Sequence, residues 1–294
     1  MKYVITGSLG NISKPLSQCL IEAAHDVTII TSKQENAAAI EALGAKAAVG
    51  SIEDVDFLTK TFTGADAVYT MVPPKWDPID WKGWFGKIGE NYTAAIKASG
   101  VNYVVNLSSI GAHMPDGAGP VSGLHRVETA LNSLDHVNVK HLRPAYFYQN
   151  FLANIGMIKH ANIIGGNFGS ERMPLIHPTD IAAVAAEELL NLDFEGHSIR
   201  YIVGDERTGK EIASVIGAAV GKPELPWIVF SDEQSLQGAI QAGLPEEVAK
   251  NYTEMGHAIR TGAFLEEYEQ HKTAFSNTKL EDFAKEFAGA YNAK

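Results

Sequence analysis

Through its first half the chain alternates short apolar runs with stretches whose apolar positions recur at helical spacing. Residues 3–5, 27–30, 45–49, 67–72, 103–107 and 137–142 are apolar on both faces and predict strands buried from both sides. Between them, residues 14–24, 36–43, 55–62, 86–99 and 124–133 predict helices, and Gly100 supplies the stop expected after 86–99. Single helices joining doubly buried strands imply a parallel sheet with helices on both faces. This is a doubly wound α/β fold of Rossmann type.

After Pro144 the rhythm changes. Residues 146–160 read as helical and aromatic, 178–192 as a helix, and 198–203 as a strand returning to the sheet. Helices at 211–220, 232–242 and 246–259, with a short strand at 227–230, then predict a smaller, mainly helical cap domain. The expected division gives residues 1–147 plus about 178–205 to a dinucleotide-binding domain, and 148–177 plus 206–294 to a substrate-binding cap.

The join between the first strand and first helix carries the clearest chemistry: Thr6-Gly7-Ser8-Leu9-Gly10-Asn11-Ile12-Ser13. Gly7 suits a tight turn, and Gly10 lets backbone approach a diphosphate. The following helix then aims free N–H groups and its positive end at the phosphates. That dipole contributes roughly 0.3–1 kcal/mol, up to about 2 in a partly buried site. Pro15 fits the first helical turn. The third glycine of the usual spacing is Ser13, small enough to keep helix and strand close. At the end of the second strand, Thr31-Ser32-Lys33 replaces the acidic residue that would bind the ribose 2′-hydroxyl of NAD. Hydroxyls and a cation suit a 2′-phosphate, so NADP(H) is the preferred cofactor and NAD(H) the second. The plainer readings are a glycine turn that binds nothing and a solvated loop lysine.

Composition narrows the partners. Lys and Arg total 24 against 35 Asp and Glu, a formal charge of −11, without a dense basic run. Such a surface repels nucleic-acid phosphates and anionic membrane surfaces, so neither partner is expected. No stretch reaches the roughly 18 apolar residues of a membrane span, and the chain opens on a strand without a basic leader, so a cytoplasmic location is expected. Cys19 is the one cysteine, set on an apolar helix face, and reads as a packing thiol. The histidines show no ligand spacing, so no metal is expected. A small-molecule substrate is the expected partner, and a monomer or a homodimer both fit.

Several further stretches carry a resemblance: Gly50-Ser-Ile-Glu-Asp54, Gly64-Ala-Asp66-Ala-Val68, Val104-Val-Asn-Leu-Ser-Ser109, His125-Arg-Val-Glu128, Leu142-Arg-Pro144, Asp180-Ile-Ala-Ala183 and Ala242-Gly-Leu-Pro245. With the glycine turn, this ordered set resembles the NmrA-like branch of the atypical short-chain dehydrogenases, nearest the quinone-reductase and triphenylmethane-reductase type. The resemblance spans nearly the whole chain. It implies that Thr6, Gly7, Leu9, Gly10, Asn11 and Ile12 hold the pyrophosphate, and that Ser32 and Lys33 face the adenosine phosphate. It places Met71, Val72 and Pro73 beside the cofactor and Ser108 and Ser109 under the nicotinamide. Pro144, Ala145, Tyr146 and Phe147 would line the nicotinamide and the pocket.

One departure matters. Short-chain dehydrogenases pair a proton-donating Tyr with a Lys four residues later; here Val121 and His125 occupy those places. The resembling reductases also carry a His there and act on quinones or conjugated dyes, acceptors that delocalise the charge a hydride brings. His125 and Tyr146 are therefore the candidate catalytic groups, against plainer roles as a helix-surface His beside Glu128 and a core aromatic. Trp81, Trp84 and Phe85, with Trp76, follow Pro73-Pro74 on the expected loop after the fourth strand, at the mouth of the site. Together with Tyr148 they are candidate substrate contacts; the alternative is a satellite hydrophobic cluster. The reading is an NADPH-dependent reductase of a small conjugated or quinone-like acceptor. The rival is a non-catalytic dinucleotide-binding sensor acting through a protein partner. An epimerase or isoflavone-type reductase ranks behind both, because the Tyr and Lys are missing.

Overall fold

The computed structural model describes residues 1–77 and 79–293. Seven parallel strands form the main sheet: β1 (Lys2–Ile5), β2 (Asp26–Thr31), β3 (Lys46–Val49), β4 (Ala67–Thr70), β5 (Tyr103–Leu107), β6 (Asn138–Pro144) and β10 (His197–Ile202). Their order across the sheet is β3-β2-β1-β4-β5-β6-β10, and every pairing is parallel. The order reverses between β1 and β4, which opens a crevice at their carboxyl ends. Helices α1 (Ser13–Glu22), α2 (Ala37–Ala42), α3 (Val55–Phe62), α4 (Trp81–Ser99), α5 (Pro120–Leu131) and α7 (Pro178–Asn191) connect the strands and cover both faces. Two hydrophobic clusters result, one per face. Ile5, Leu16, Ile29 and Val105 belong to one; Val4, Leu58, Val68 and Val104 belong to the other. The alternation of strand residues between clusters is the period-2 geometry that made both faces read as apolar.

Three elements differ from expectation. The fourth helix starts at Trp81 rather than 86, because the Asp80 carboxylate caps it by accepting from the Gly83 N–H at 2.8 Å. The aromatic residues 81, 84 and 85 thus stand on a helix, not on a loop. Residues 146–160 break into β7 (Tyr146–Phe147), a 3-10 segment (Tyr148–Asn154) and α6 (Ile155–Ala161). After residue 145 the chain forms two small sheets among its helices. In one, β7 pairs with β9 (Met173–Ile176), which pairs with β11 (Asp205–Arg207). In the other, β8 (Ile164–Gly166) pairs with β12 (Trp227–Val229). The remaining helices are α8 (Gly209–Ala219), α9 (Asp232–Gln241), α10 (Glu246–Arg260), α11 (Glu266–Gln270) and α12 (Leu280–Asn292). Reciprocal capping boxes start α8 (Thr208 with Glu211) and α9 (Ser231 with Gln234).

A chain of polar groups, buried from Thr70 to His141 and ending on the exposed Asn132, crosses the sheet. Thr70 Oγ1 donates to Asn106 Oδ1 at 3.0 Å, Asn106 Nδ2 donates to His141 Nδ1 at 3.1 Å, and His141 Nε2–H donates to Asn132 Oδ1 at 2.9 Å. Burial pushes His141 down to about 4, with Glu128 opposing and Arg143 and His197 reinforcing the fall. In the unfolded chain the ring titrates near 6.5. Between those values the unfolded chain binds a proton that the native state refuses, so native stability falls as pH drops from 6.5 toward 4. The loss expected from this ring is about 3 kcal/mol. Urea midpoints at pH 7 and 4.5 check it: His141→Asn should show a clearly smaller acid penalty than the parent, and an unchanged penalty refutes the assignment.

Candidate active site

The opening turn is built as a cradle for an anion. Gly7 holds φ at +90°, and a Cβ there would run into Ser13 Oγ and lie against Met71 Sδ. Ser13 is buried in this contact, so a small residue is required where the third glycine usually stands. The Gly10 N–H donates to the Gly7 carbonyl at 3.1 Å, closing the turn. Helix α1 then begins without a side-chain cap and without an acidic residue in its first turn. The Lys14 N–H donates to the Gly10 carbonyl at 3.0 Å and Pro15 carries none, so the amides of Asn11, Ile12 and Ser13 are the ones left for a ligand, and nothing negative competes with an incoming phosphate.

At the end of β2, hydroxyls and an amide converge. Ser8 Oγ donates to Thr31 Oγ1 at 3.0 Å, and Asn36 Nδ2 lies 3.0 Å from Ser8 Oγ and 3.2 Å from Thr31 Oγ1. The Lys33 N–H also donates to Thr31 Oγ1, at 3.2 Å. Lys33 itself extends into solvent, 3.9 Å from Glu35. The sequence reading reached Thr31, Ser32 and Lys33 but missed Asn36. That residue lies on a short 3-10 turn, where no periodic signal marks it.

Other expected cofactor contacts lie around the strand exits. Thr6 is fully buried, and its hydroxyl oxygen accepts from the Met71 N–H at 2.9 Å. Its side chain therefore braces β4 behind the site instead of touching a phosphate, a correction to the expectation. Ile12 likewise sends its side chain into the core. Met71 is held from the other side, where Tyr92 Oη donates to its carbonyl at 2.7 Å. Ser108, the residue after β5, is buried, with an Oγ that lacks a partner. Such an orphan at the floor of a crevice suits a ligand group. Ser109 Oγ donates to the Ile110 carbonyl at 2.8 Å. Pro144 and Ala145 are buried at the end of β6, whereas Leu9, Gly10 and Asn11 reach the surface of the turn.

The candidate catalytic groups stand on different elements, His125 on α5 and Tyr146 on β7. His125 Nδ1–H donates to the Ala112 carbonyl at 2.8 Å, which fixes the tautomer and leaves Nε2 open. The ring lines a cleft of about 410 Å³ with Glu128, His141, Arg143 and His197, beside α5 and the outer strands. Val121 is buried near Ala112 and Ala118. Tyr146 instead stands on β7, its ring 5.6 Å from Phe151 and 5.7 Å from Phe168. Burial is the main cause that pushes its phenol up; a nearby Tyr252 adds to the rise and Asn150 opposes it. Tyr146 thus keeps its proton at neutral pH and can donate it in a hydrogen bond.

Among the aromatic candidates, Trp81 and Phe85 are buried, their rings 5.9 Å apart, and form the base of a wall on α4. Trp84 is half-buried above them and Trp76 is half-exposed. The indole nitrogens of Trp81 and Trp84 lack partners. Tyr148 does not join this wall. It is fully buried and stacks on Phe283 at 5.5 Å, so its expected substrate contact is replaced by packing of α12 onto the core. Sequence reasoning also missed Tyr252 on α10, whose ring lies 5.4 Å from Trp81. It follows the wall by well over a hundred residues, so only the folded chain joins them. Among the described residues, no helix is long and apolar enough to cross a membrane, and no group of three or more His, Cys, Asp or Glu could hold a metal ion.

Crevice, glycine turn, bare helix start and orphaned serine together fit a dinucleotide, so this is a Rossmann-type dinucleotide-binding protein. More specifically, residues 7–145 match a family model described as NAD(P)H-binding. The chain is 24% identical over 262 residues to (4-alkanoyl-5-oxo-2,5-dihydrofuran-3-yl)methyl phosphate reductase of Streptomyces griseus subsp. griseus, covering 88% of each chain. It is 24% identical over 254 residues to the NAD(P)H azoreductase of Xenophilus azovorans, covering 86% of this chain and 85% of that one. Its fold matches the triphenylmethane reductase of Citrobacter sp. complexed with NADP(H), with a TM-score of 0.80 at 21% identity, covering 97% of this chain and 99% of that one. The resemblance read from the residues agrees with these neighbours.

Proposed function

We propose that the protein is an NADPH-dependent oxidoreductase that reduces a small, flat, conjugated acceptor such as a quinone, an azo compound or a dye. The observation that carries this reading is an aromatic cluster of Trp76, Trp81, Trp84 and Tyr252 packed with Val72 after β4, the strand that borders the crevice; the sequence reading of Val121 and His125 at the places of the Tyr and Lys supports it. When bound, NADPH supplies the hydride. The chain's own residues supply orientation: the turn at Gly7 and the start of α1 hold the diphosphate, and the aromatic wall excludes water and stacks the acceptor. Reductase relatives of an azo compound and of a conjugated lactone support the same acceptor class.

Two measurements test the reading. Purified protein mixed with NADPH and a panel of quinones, azo dyes and triarylmethane dyes should consume absorbance at 340 nm. Tight NADPH binding with no turnover across the panel would instead favour the sensor. For the cofactor preference, Lys33→Ala should weaken NADPH binding about tenfold while NADH binding changes less than about twofold. An equal loss for both nucleotides would remove Lys33 from the 2′-phosphate.

A further inference from the structure

Helix α10 is fastened to the nucleotide-binding half at three places around the strand exits. Glu247 Oε1 accepts from the Trp81 N–H at 3.2 Å. Lys82 Nζ donates to Glu254 at 2.8 Å and Asp116 at 3.2 Å. The Asn251 carbonyl lies so close to Gly119 that a Cβ there would collide with it. On its cap side, α10 is seated by Asn167, whose Nδ2 donates to the Thr253 carbonyl at 2.8 Å. Asn167 is anchored in turn by Asp232, which also holds Arg260. The residue after Asn167 is Phe168, the ring neighbour of Tyr146.

Tyr252 sits in the middle of these fastenings. Its ring rests on Trp81, and it packs in the cluster that holds Val72, the residue at the exit of β4. Burial pushes its phenol up, so the hydroxyl stays protonated, and among the described residues it makes no hydrogen bond. A helix fastened at three places thus holds one unassigned donor beside Trp81, in the cluster that includes Val72 at the exit of β4.

Building on the reductase reading, we propose that Tyr252 is the acceptor-orienting residue. Its hydroxyl donates a hydrogen bond to a heteroatom of the flat acceptor, a quinone oxygen or an azo nitrogen conjugated to the position that takes the hydride. As that position gains the hydride and its electron pair, negative charge moves onto the heteroatom and the bond from Tyr252 strengthens. A solvent proton then completes the reduced product, and Tyr252 keeps its own proton. Acceptors that offer such a heteroatom are favoured over a triarylmethyl cation, whose central carbon takes the hydride with no anion to stabilise.

Tyr252→Phe keeps the ring on Trp81 and removes only the donor. Its kcat/KM for 2-methyl-1,4-naphthoquinone should fall about tenfold or more relative to its kcat/KM for crystal violet, each against the parent protein. Equal loss on both acceptors, or no loss on the quinone, overturns the proposal. Binding of the same quinone to protein loaded with NADP+, followed by tryptophan fluorescence, tests it without turnover: the variant should bind about tenfold more weakly. A parent that binds the quinone without reducing it would end the reductase reading and leave this second test decisive for Tyr252. A parent that does not bind the quinone ends the proposal.

Discussion

Gly7→Ala should abolish NADPH binding at working concentrations, raising the dissociation constant at least about a hundredfold. Two costs act together. A Cβ at φ +90° is strained. The same Cβ also runs into Ser13 Oγ at the start of α1. The turn can relieve the collision only by moving the helix start, and that carries away the N–H groups that face the diphosphate. The fold should survive, because the turn lies at the edge of the core, so circular dichroism and thermal midpoint should change little beside the loss of binding. Adding Ser13→Gly to the variant removes the colliding atom and should recover part of the affinity. Titration calorimetry decides: binding within about threefold of the parent would show that the turn does not hold the phosphates.

Glu128→Gln should be the most destabilising single change on the nucleotide-binding half, costing about 3–5 kcal/mol in urea unfolding. Arg143 is buried on β6 and grips both Glu128 oxygens, Nε at 3.0 Å and Nη2 at 2.7 Å. Its Nη1 reaches Glu267 of α11 at 2.6 Å and Tyr201 of β10 at 3.1 Å. Burial works against the guanidinium charge, and Glu128 more than offsets it, leaving Arg143 held well above its ordinary value. With glutamine in place, the positive charge stays buried against one carboxylate in place of two, and a glutamine N–H faces a guanidinium donor. The double change Glu128→Leu with Arg143→Met removes both charges and should cost less than the single change. A single variant within about 1 kcal/mol of the parent would show that Glu267 alone suffices.

The parallel sheet was legible because doubly buried strands leave unbroken apolar runs, and Val27 to Ile30 could hardly be read otherwise. Helix 55–62 was legible to the residue, since Asp54 caps it and Phe62 ends its apolar face. The start of α4 was not. Bulky aromatics and Gly83 and Gly86 weaken helical spacing there, and only the Asp80 cap reveals the true beginning. Of the small strands after residue 145, the one at 227–230 was read from the sequence, whereas others escaped notice because three- or four-residue strands such as Ile164–Gly166 are too short for a period. In the site, the glycine turn could be read because its chemistry is local. Tyr252, Asn36 and the burial of Tyr148 could not, because each depends on contacts between segments far apart along the chain.

The outermost strand has a consequence for biosynthesis. The matched domain ends at residue 145, yet β10 completes its sheet and runs along β6 from His197 to Ile202. Helix α7, just ahead of β10, is tied to the first strand as well, through Tyr3 Oη donating to the Leu189 carbonyl at 2.8 Å. A ribosome releases β6 long before these partners exist, so its outer edge stays bare while residues 146–196 emerge. A chain cut after 145 would keep that sticky rim for good and should be recovered in aggregates, whereas adding residues through about 292 in trans should rescue it by strand complementation.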